Sequence, residues 1–245
     1  MNIIVSESFE KMSDAAAMAV SAHIMTKPDC SLGLSADQPL LEAYARIVRI
    51  HREGLLDFKW IRAFAAAERA GMGKDSPGGC RAALWEHFLS KINIDEKNIF
   101  SPDGAADNID RECLLYTERL EAEGGIDLML LSLGENGRVA FIEPGECFEP
   151  ATHVSAPQRS GIAGRMVLAA DSGTLLPPAR GAALTIGVGA IMKARRVILV
   201  AAGERVADAV NALAYGKPAP GFPASILQFH GDVTVITDRE AGSSL

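Results

Sequence analysis

The chain has 245 residues, 48% of them apolar and only 6% aromatic, and 24 Lys and Arg against 31 Asp and Glu leave a net charge of −7. That apolar content supports a large core and is far too high for a disordered chain. The acidic balance offers no electrostatic footprint for nucleic acid or an anionic membrane, so a phosphate-bearing ligand would need a local site.

Residues 2–5 predict a strand, and residues 6–25 a helix with Ala15, Ala16, Met18, Ala19 and Ile24 on its apolar side. Residues 31–34 predict a second strand. Residues 40–51 follow as an amphipathic helix, with Leu41, Tyr44, Ile47 and Val48 at helical spacing and Gly54 ending it. A third strand is expected within 58–66, then helices over 78–89 and 109–121. Residues 126–133 (IDLMLLSL) are nearly continuously apolar, the pattern of a strand buried on both faces. Residues 180–192 read as helix, 196–200 as strand, 204–214 as helix and 233–237 (VTVIT) as a final strand. The Gly- and Pro-rich piece 216–223 reads as a loop. Alternation of this kind predicts an α/β fold: an open, mostly parallel sheet with helices on both faces and right-handed crossovers. No repeat or low-complexity linker divides the chain, so one domain over residues 1–245 is expected.

Cys30, Cys80, Cys113 and Cys147 stand far apart with no CxxC pair, which signals neither a zinc site nor a redox motif. The N-terminus lacks the basic and apolar regions of a secretory signal, and no apolar stretch reaches about 18 residues. A reducing, cytoplasmic location is expected, without membrane partners.

Ligands of open parallel sheets gather at the carboxyl ends of the strands near the switch point, and that rule selects three loops. The first is Ser35-Ala36-Asp37-Gln38-Pro39. It is a poor phosphate cradle, with one hydroxyl, an anionic Asp37 and a Pro without an N–H. The second runs from Ala65 to Gly71 and carries Glu68 and Arg69 beside three alanines. Glu68 is either a solvated partner of Arg69 or a carboxylate with a raised pKa. The third, Gly134 to Pro144, holds Arg138 and Glu143 in an otherwise apolar segment. They read either as an internal ion pair or as an anion-binding guanidinium and an acid. His153 and His230 are structural or ligand-binding, and no Ser-His-Asp or Cys-His set can be assembled.

Collinear stretches across essentially the whole chain carry a resemblance. They include Leu32-Gly33-Leu34, Lys74-Asp75-Ser76-Pro77-Gly78, Lys91-Ile92-Asn93-Ile94 and Gly124-Gly125-Ile126-Asp127-Leu128. Further on stand Gly134-x-Asn136-Gly137, Phe141-x-Glu143-Pro144-Gly145, Thr152-His153, residues 183–189 (ALTIGVG) and Leu227-Gln228-x-His230. In these the chain resembles the glucosamine-6-phosphate deaminase and galactosamine-6-phosphate isomerase family. The resemblance implies a Rossmann-like, sugar-phosphate isomerase type of sheet. It also implies aldose–ketose proton transfer with ammonia release, no metal or organic cofactor, and monomers or hexamers.

At the ligand-facing positions the chain departs from the family pattern. Ala36-Asp37-Gln38-Pro39-Leu40 stands where the family's phosphate loop reads Thr-Gly-x-Thr-Pro. Ala67 stands at the proton-shuttling Asp, Arg138 at the ring-opening His, Ile142 at an Asn, Gly79-Cys80 at a Ser-Tyr pair and Val206 at a phosphate-binding Lys. These replacements imply a wider, drier pocket. Candidate catalytic groups are Glu68, Glu143 and Arg138. Candidate ligand contacts are Ser35, Asp37, Gln38, Ala67, Asn136, Gly137 and Ile142. The expected partner is a small molecule, a sugar phosphate or something more apolar. Three readings stay open: family activity lost or changed, a weak deaminase/isomerase using Glu68 or Glu143 as base, or a site remodelled by evolution or engineering into an apolar pocket.

Overall fold

In the computed structural model, which describes residues 1–156 and 181–245, the apolar runs lie side by side as strands. In chain order the elements are β1 (Asn2–Val5), α1 (Phe9–Thr26), β2 (Ser31–Leu34), α2 (Gln38–Arg52), β3 (Arg62–Ala65), β4 (Ala67–Arg69), α3 (Cys80–His87) and β5 (Ile99–Phe100). Then follow α4 (Ile109–Ala122), β6 (Leu128–Ser132), β7 (His153–Ser155), β8 (Ala183–Thr185), α5 (Val188–Lys193), β9 (Arg196–Ala201), α6 (Ala207–Tyr215) and β10 (Val233–Thr237). Seven strands form one sheet in the order β1-β10-β9-β6-β2-β3-β5, every neighbouring pair parallel. From β2 the chain moves outward through β3 to β5, then returns to β6 on the other side of β2 and moves outward through β9 to β10. The winding reverses between β2 and β6, which places the ligand crevice of such a sheet at the carboxyl ends of those two strands.

Successive strand residues point to opposite faces, and here both faces are buried. Leu128 and Leu130 of β6, Ile198 and Val200 of β9, and Ile236 of β10 pack with α1, α2 and α3. Met129 and Leu131, Val197 and Leu199, and Val233 and Val235 point the other way, against α4, α5 and α6. That is why residues 126–133 read as an unbroken apolar run. The stripe expected on α1 is displaced: its buried residues are Met12, Ser13, Ala16, Ala17, Val20, Ser21 and Ile24, while Met18 is exposed. Alanines spread around the helix blur the apolar face, and the short side chains of Ala16 and Ala17 let it lie close to the sheet.

The helix expected over 180–192 is corrected. Ala183–Thr185 is strand β8, and the helix begins only at Val188. Position 180 lies outside the described residues. The second candidate loop is corrected as well, because Ala67–Arg69 is strand β4. It pairs antiparallel with β8 (Ala67 with Thr185, Arg69 with Ala183), and β8 pairs antiparallel with β7. This small sheet leaves the carboxyl end of β3 after the single residue Ala66, whose N–H donates to Leu34 O at 2.8 Å. Among the described residues no helix is long and apolar enough to cross a membrane.

At the opposite, amino end of the strands, Asp127 ties the sheet together. Its carboxylate accepts the Ser31 N–H at 2.9 Å and the Lys27 ammonium at 2.6 Å, and Arg195 Nε lies 3.0 Å away. Burial raises its pKa, but the Lys27 and Ser31 donors outweigh burial and hold it below the usual carboxylate value. The stabilisation is therefore full above about pH 4, the unfolded value, and is lost as pH falls through the lower folded value. Asp127→Asn is expected to cost about 1–3 kcal/mol at pH 7, with the gap to wild type narrowing below about pH 4. Urea melts at pH 7 and pH 3 check this, and an equal gap at both would show that the charge contributes nothing.

Candidate functional site

Asp37 is the N-cap of α2, yet its side chain makes no capping bond. Its carboxylate instead accepts the Ser132 hydroxyl at 2.6 Å, joining the carboxyl end of β2 to that of β6 across the switch point. A carboxylate here also complements the positive end of α2. The chain thus supplies its own anion where a helix N-terminus would otherwise recruit one. Gln38 is the first residue of α2 and is exposed. Ser35 is buried: its N–H donates to Leu130 O at 3.2 Å, its carbonyl accepts the Tyr44 hydroxyl at 2.8 Å, and its own hydroxyl has no partner among the described residues. Burial, with the Asp37 carboxylate adding to it, pushes the Tyr44 phenol well above its usual range, so Tyr44 stays a donor.

Glu68, offered by the sequence as a solvated partner of Arg69 or as a carboxylate with a raised pKa, is not solvated. It is 1% exposed, and its carboxylate accepts three backbone N–H groups: Arg69 at 2.7 Å, Cys80 at 2.8 Å and Arg81 at 2.9 Å. Cys80 and Arg81 open α3, so a side chain on β4 caps a helix that has no capping side chain of its own. Gly79 permits this approach, since a Cβ there would lie 3.0 Å from Glu68 Oε1. Burial, with Glu68 adding to it, pushes the Cys80 thiol up to about 12, which leaves it protonated and unreactive. Ala67 is buried opposite Thr185.

The third loop is a set of tight turns. The Gly137 N–H donates to Gly134 O at 2.9 Å, and the Gly134 N–H donates to Arg138 O at 2.8 Å. Gly137 has φ +82°, and its carbonyl accepts the Ala224 N–H at 2.8 Å, so both of its backbone groups are used within the protein. Ala140, with φ 50°, is the one non-glycine of positive φ among the described residues. That conformation costs an L-residue about 1–2 kcal/mol and turns the chain between Arg138 and Phe141. Asn136 links the loop: its Oδ1 accepts the Arg138 N–H at 3.1 Å and its Nδ2 donates to Glu143 Oε2 at 2.8 Å. Arg138 Nε lies 3.7 Å from Glu143 Oε1, and its Nη1 donates to Ala140 O at 3.2 Å. Ile142 is buried in the core.

Two residues that the sequence did not place among the candidate catalytic groups or ligand contacts, Phe141 and Arg69, complete the arrangement. Phe141 lies under the Arg138 guanidinium, 5.1 Å from Cζ to ring centroid, and Arg69 Cζ lies 5.7 Å from the same centroid. The Phe141 N–H donates to Thr185 Oγ1 at 3.2 Å, so the β4–β8 pairing brings Arg69 to this ring. Only the unusual sequence of an Arg at 69 and another at 138 in two adjacent site loops pointed to this; their meeting required the second sheet. A cleft of about 460 Å³ beside the third loop is lined by Leu133, Gly134, Glu135, Asn136, Arg138 and Val206. Three of these six side chains are polar or charged, which does not favour the drier pocket expected from the replacements.

His230 is structural. Its Nε2 lies 2.8 Å from Ala194 O and its Nδ1 accepts the Asp232 N–H at 3.0 Å, so both ring nitrogens are used. His153 sits in β7 with Nδ1 3.0 Å from Ala151 O. A larger groove, about 990 Å³, follows the β5 edge of the sheet past Lys74, Arg81, Glu96, Phe100 and Arg119. Among its charges, Lys74 pairs with Glu96 at 2.8 Å and Arg81 with Glu96 at 3.5 Å. No group of three or more His, Cys, Asp or Glu able to hold a metal ion occurs among the described residues.

A doubly wound parallel sheet, with polar loops gathered at its switch point, defines an α/β protein of the class whose ligands gather at the carboxyl ends of the strands. The family model described as glucosamine-6-phosphate isomerases/6-phosphogluconolactonase matches residues 6–236, and the chain belongs to that family. It is 36% identical over 245 residues to a glucosamine-6-phosphate deaminase of Clostridium botulinum (strain Loch Maree / Type A3), covering 100% of this chain and 99% of that one. Among solved structures it is similar to a monomeric glucosamine-6-phosphate deaminase, with TM-score 0.88, 32% identity and full coverage of both chains. It shares its fold with the 6-phosphogluconolactonase of Trypanosoma brucei, with TM-score 0.78 and 22% identity over 100% of this chain and 98% of that one.

Proposed function

We propose that this chain is a ligand-binding member of its family that does not release ammonia from amino-sugar 6-phosphates. The observation that carries this reading is Glu68: the one carboxylate of the second loop is held by three backbone amides as the cap of α3. The neighbouring position, which the family resemblance gives to the proton-shuttling Asp, carries the buried methyl of Ala67. Glu143 is likewise engaged, by Asn136 and Arg138. Loss of a general base costs about 10²–10⁴-fold in rate. Asp37, bonded to Ser132 at the start of α2, puts a negative charge where the resemblance puts a phosphate, and Val206 removes the matching cation. That deprives a phosphosugar of the remote binding energy that would orient its reacting carbons. Four free thiols, three of them buried, support a reducing, cytoplasmic setting.

The test is a coupled assay for ammonia with glucosamine 6-phosphate and galactosamine 6-phosphate at millimolar concentration. No ammonia above the enzyme-free control is expected. Ala67→Asp alone is not expected to restore any, because groups that act as a unit are strongly non-additive. Saturable ammonia release that disappears in Glu143→Gln would overturn the reading and make Glu143 the base.

A further inference from the structure

We propose that the outward face of α1 is a docking surface for a second copy of this chain, the two α1 helices pairing antiparallel about a twofold axis at the level of Val20. A surface helix turns charge toward solvent, as α2 does with Glu42, Arg49 and Arg52. The outward face of α1 does not. Residues 15–26 contain no Asp, Glu, Lys or Arg. Met12, Ala16, Val20 and Ile24 are buried in the core on one side of the helix. On the other side Lys11, Ala15, Met18, Ala22 and Met25 recur at alternating steps of four and three, and at about 100° per residue they fall within about 80° of one another. Met18 is 68% exposed and Met25 56%. Asp14, at the flank of this stripe, is taken by Arg46 of α2. A helix apolar all round is one whose faces are all covered, and steps of four and three are those of a helix that meets another along its length.

The side chains of the stripe fit a second copy of themselves. In an antiparallel pair centred at the level of Val20, Met18 meets Ala22 of the second copy and Ala15 meets its Met25, so each long side chain lies over a short one. The same register brings Lys11 to Asp29 of the second copy, twice in the dimer. Lys11 and Asp29 are both exposed, and among the described residues neither enters an ion pair. A parallel pair would set Lys11 against Lys11 and Met18 against Met18. Antiparallel helices also place the positive end of one macrodipole beside the negative end of the other. The alanines let the two axes approach to about 8 Å. An anionic lipid surface is the poorer occupant, because it needs a basic polar face, whereas this stripe has one cation and the chain a net charge of −7. The 18 residues of α1 span about 27 Å. One such helix face covers less than the ~800 Å² per partner of a standard interface, so the dimer is weak and depends on concentration.

Sedimentation velocity of the full chain over about 5–500 µM tests the inference, at low ionic strength because salt screens exposed ion pairs. A reversible monomer–dimer equilibrium is expected. Met18→Glu and Met25→Glu, both at solvent-facing positions, are each expected to weaken it at least about tenfold while leaving the thermal melt of the dilute protein unchanged. Lys11→Glu and Asp29→Lys are each expected to weaken it at least about threefold. The double variant, which exchanges the two charges, is expected to return it to within about twofold of wild type. A monomer over the whole range, a dimer that both glutamate variants leave unchanged, or a double variant no tighter than the single ones would each overturn the proposal. So would a chain that stays monomeric and binds vesicles of neutral phosphatidylcholine in a manner that Met18→Glu abolishes.

Discussion

Replacing Glu68 by Ala is expected to lower stability by about 4 kcal/mol, because three backbone N–H groups, two of them buried, lose their acceptor at once and each buried orphan costs about 1–3 kcal/mol. The groups are those of Arg69, Cys80 and Arg81, so the loss falls on the joint between β4 and α3. Part of the cost is offset by removing a buried charge. Glu68→Gln is expected to fare little better. It keeps one acceptor oxygen but turns an NH₂ toward amides that are themselves donors, and it withdraws the negative charge from the start of α3. For a chain of this length the melting temperature should fall by roughly 10 °C. Thermal and urea melts measure it. A Glu68→Gln protein as stable as wild type, but with altered turnover of any substrate, would return Glu68 to the role of an acid or base.

The second large effect is expected at Gly187, and it bears on the small antiparallel sheet. A Cβ at this position would lie closer than 3.0 Å to backbone atoms of Pro150 and Ala151. Gly189 meets Pro150 O in the same way, and the Val188 and Gly189 N–H groups donate to Glu149 O at 2.8 Å and Pro150 O at 3.0 Å. The obstacle is backbone rather than a movable side-chain tip, so Gly187→Ala must push residues 150–151 away from the start of α5. Overpacking of this kind costs about 3 kcal/mol. Because residues 150–151 lead directly into β7, the shift should loosen the pairing of β7 with β8 and, through Thr185, the seat of Phe141. Hydrogen exchange should show faster exchange in residues 153–155 and 183–185 than in β6 or β9. Uniform protection, or a variant as stable as wild type, would mean that the close approach is not required.

The α/β architecture was legible because β6, β9 and β10 are buried on both faces, and a strand buried twice is written as a continuous apolar run. The helices of sharp period were legible for a related reason: α2 shows Tyr44, Ile47 and Val48 to the sheet and charges to solvent. Family membership was legible too, since the collinear glycine- and proline-bearing turns carry the scaffold. The short strands were not. Ala67-Glu68-Arg69 has no residue of strong β propensity, and Ile99–Phe100 is two residues long. Residues 183–192 misled because Ala, Leu and Ile suit a helix or a strand equally, and only Gly187 packed against Pro150 separates the two elements.

By itself the sequence determined the order of the parallel strands' apolar runs and the helices that cover them. These are properties of local pattern and composition, and each is complete within some 20 residues. The tertiary structure alone decided what the remaining charges do. Glu68 became a helix cap because α3 begins beside it in space. Asp37 became a bridge to Ser132 because the winding reverses between β2 and β6. Arg69 and Arg138 came to share Phe141 because β4 pairs with β8. In each case at least one partner lies in a segment distant in sequence, and a side chain's charge takes its meaning from the groups that the fold brings beside it.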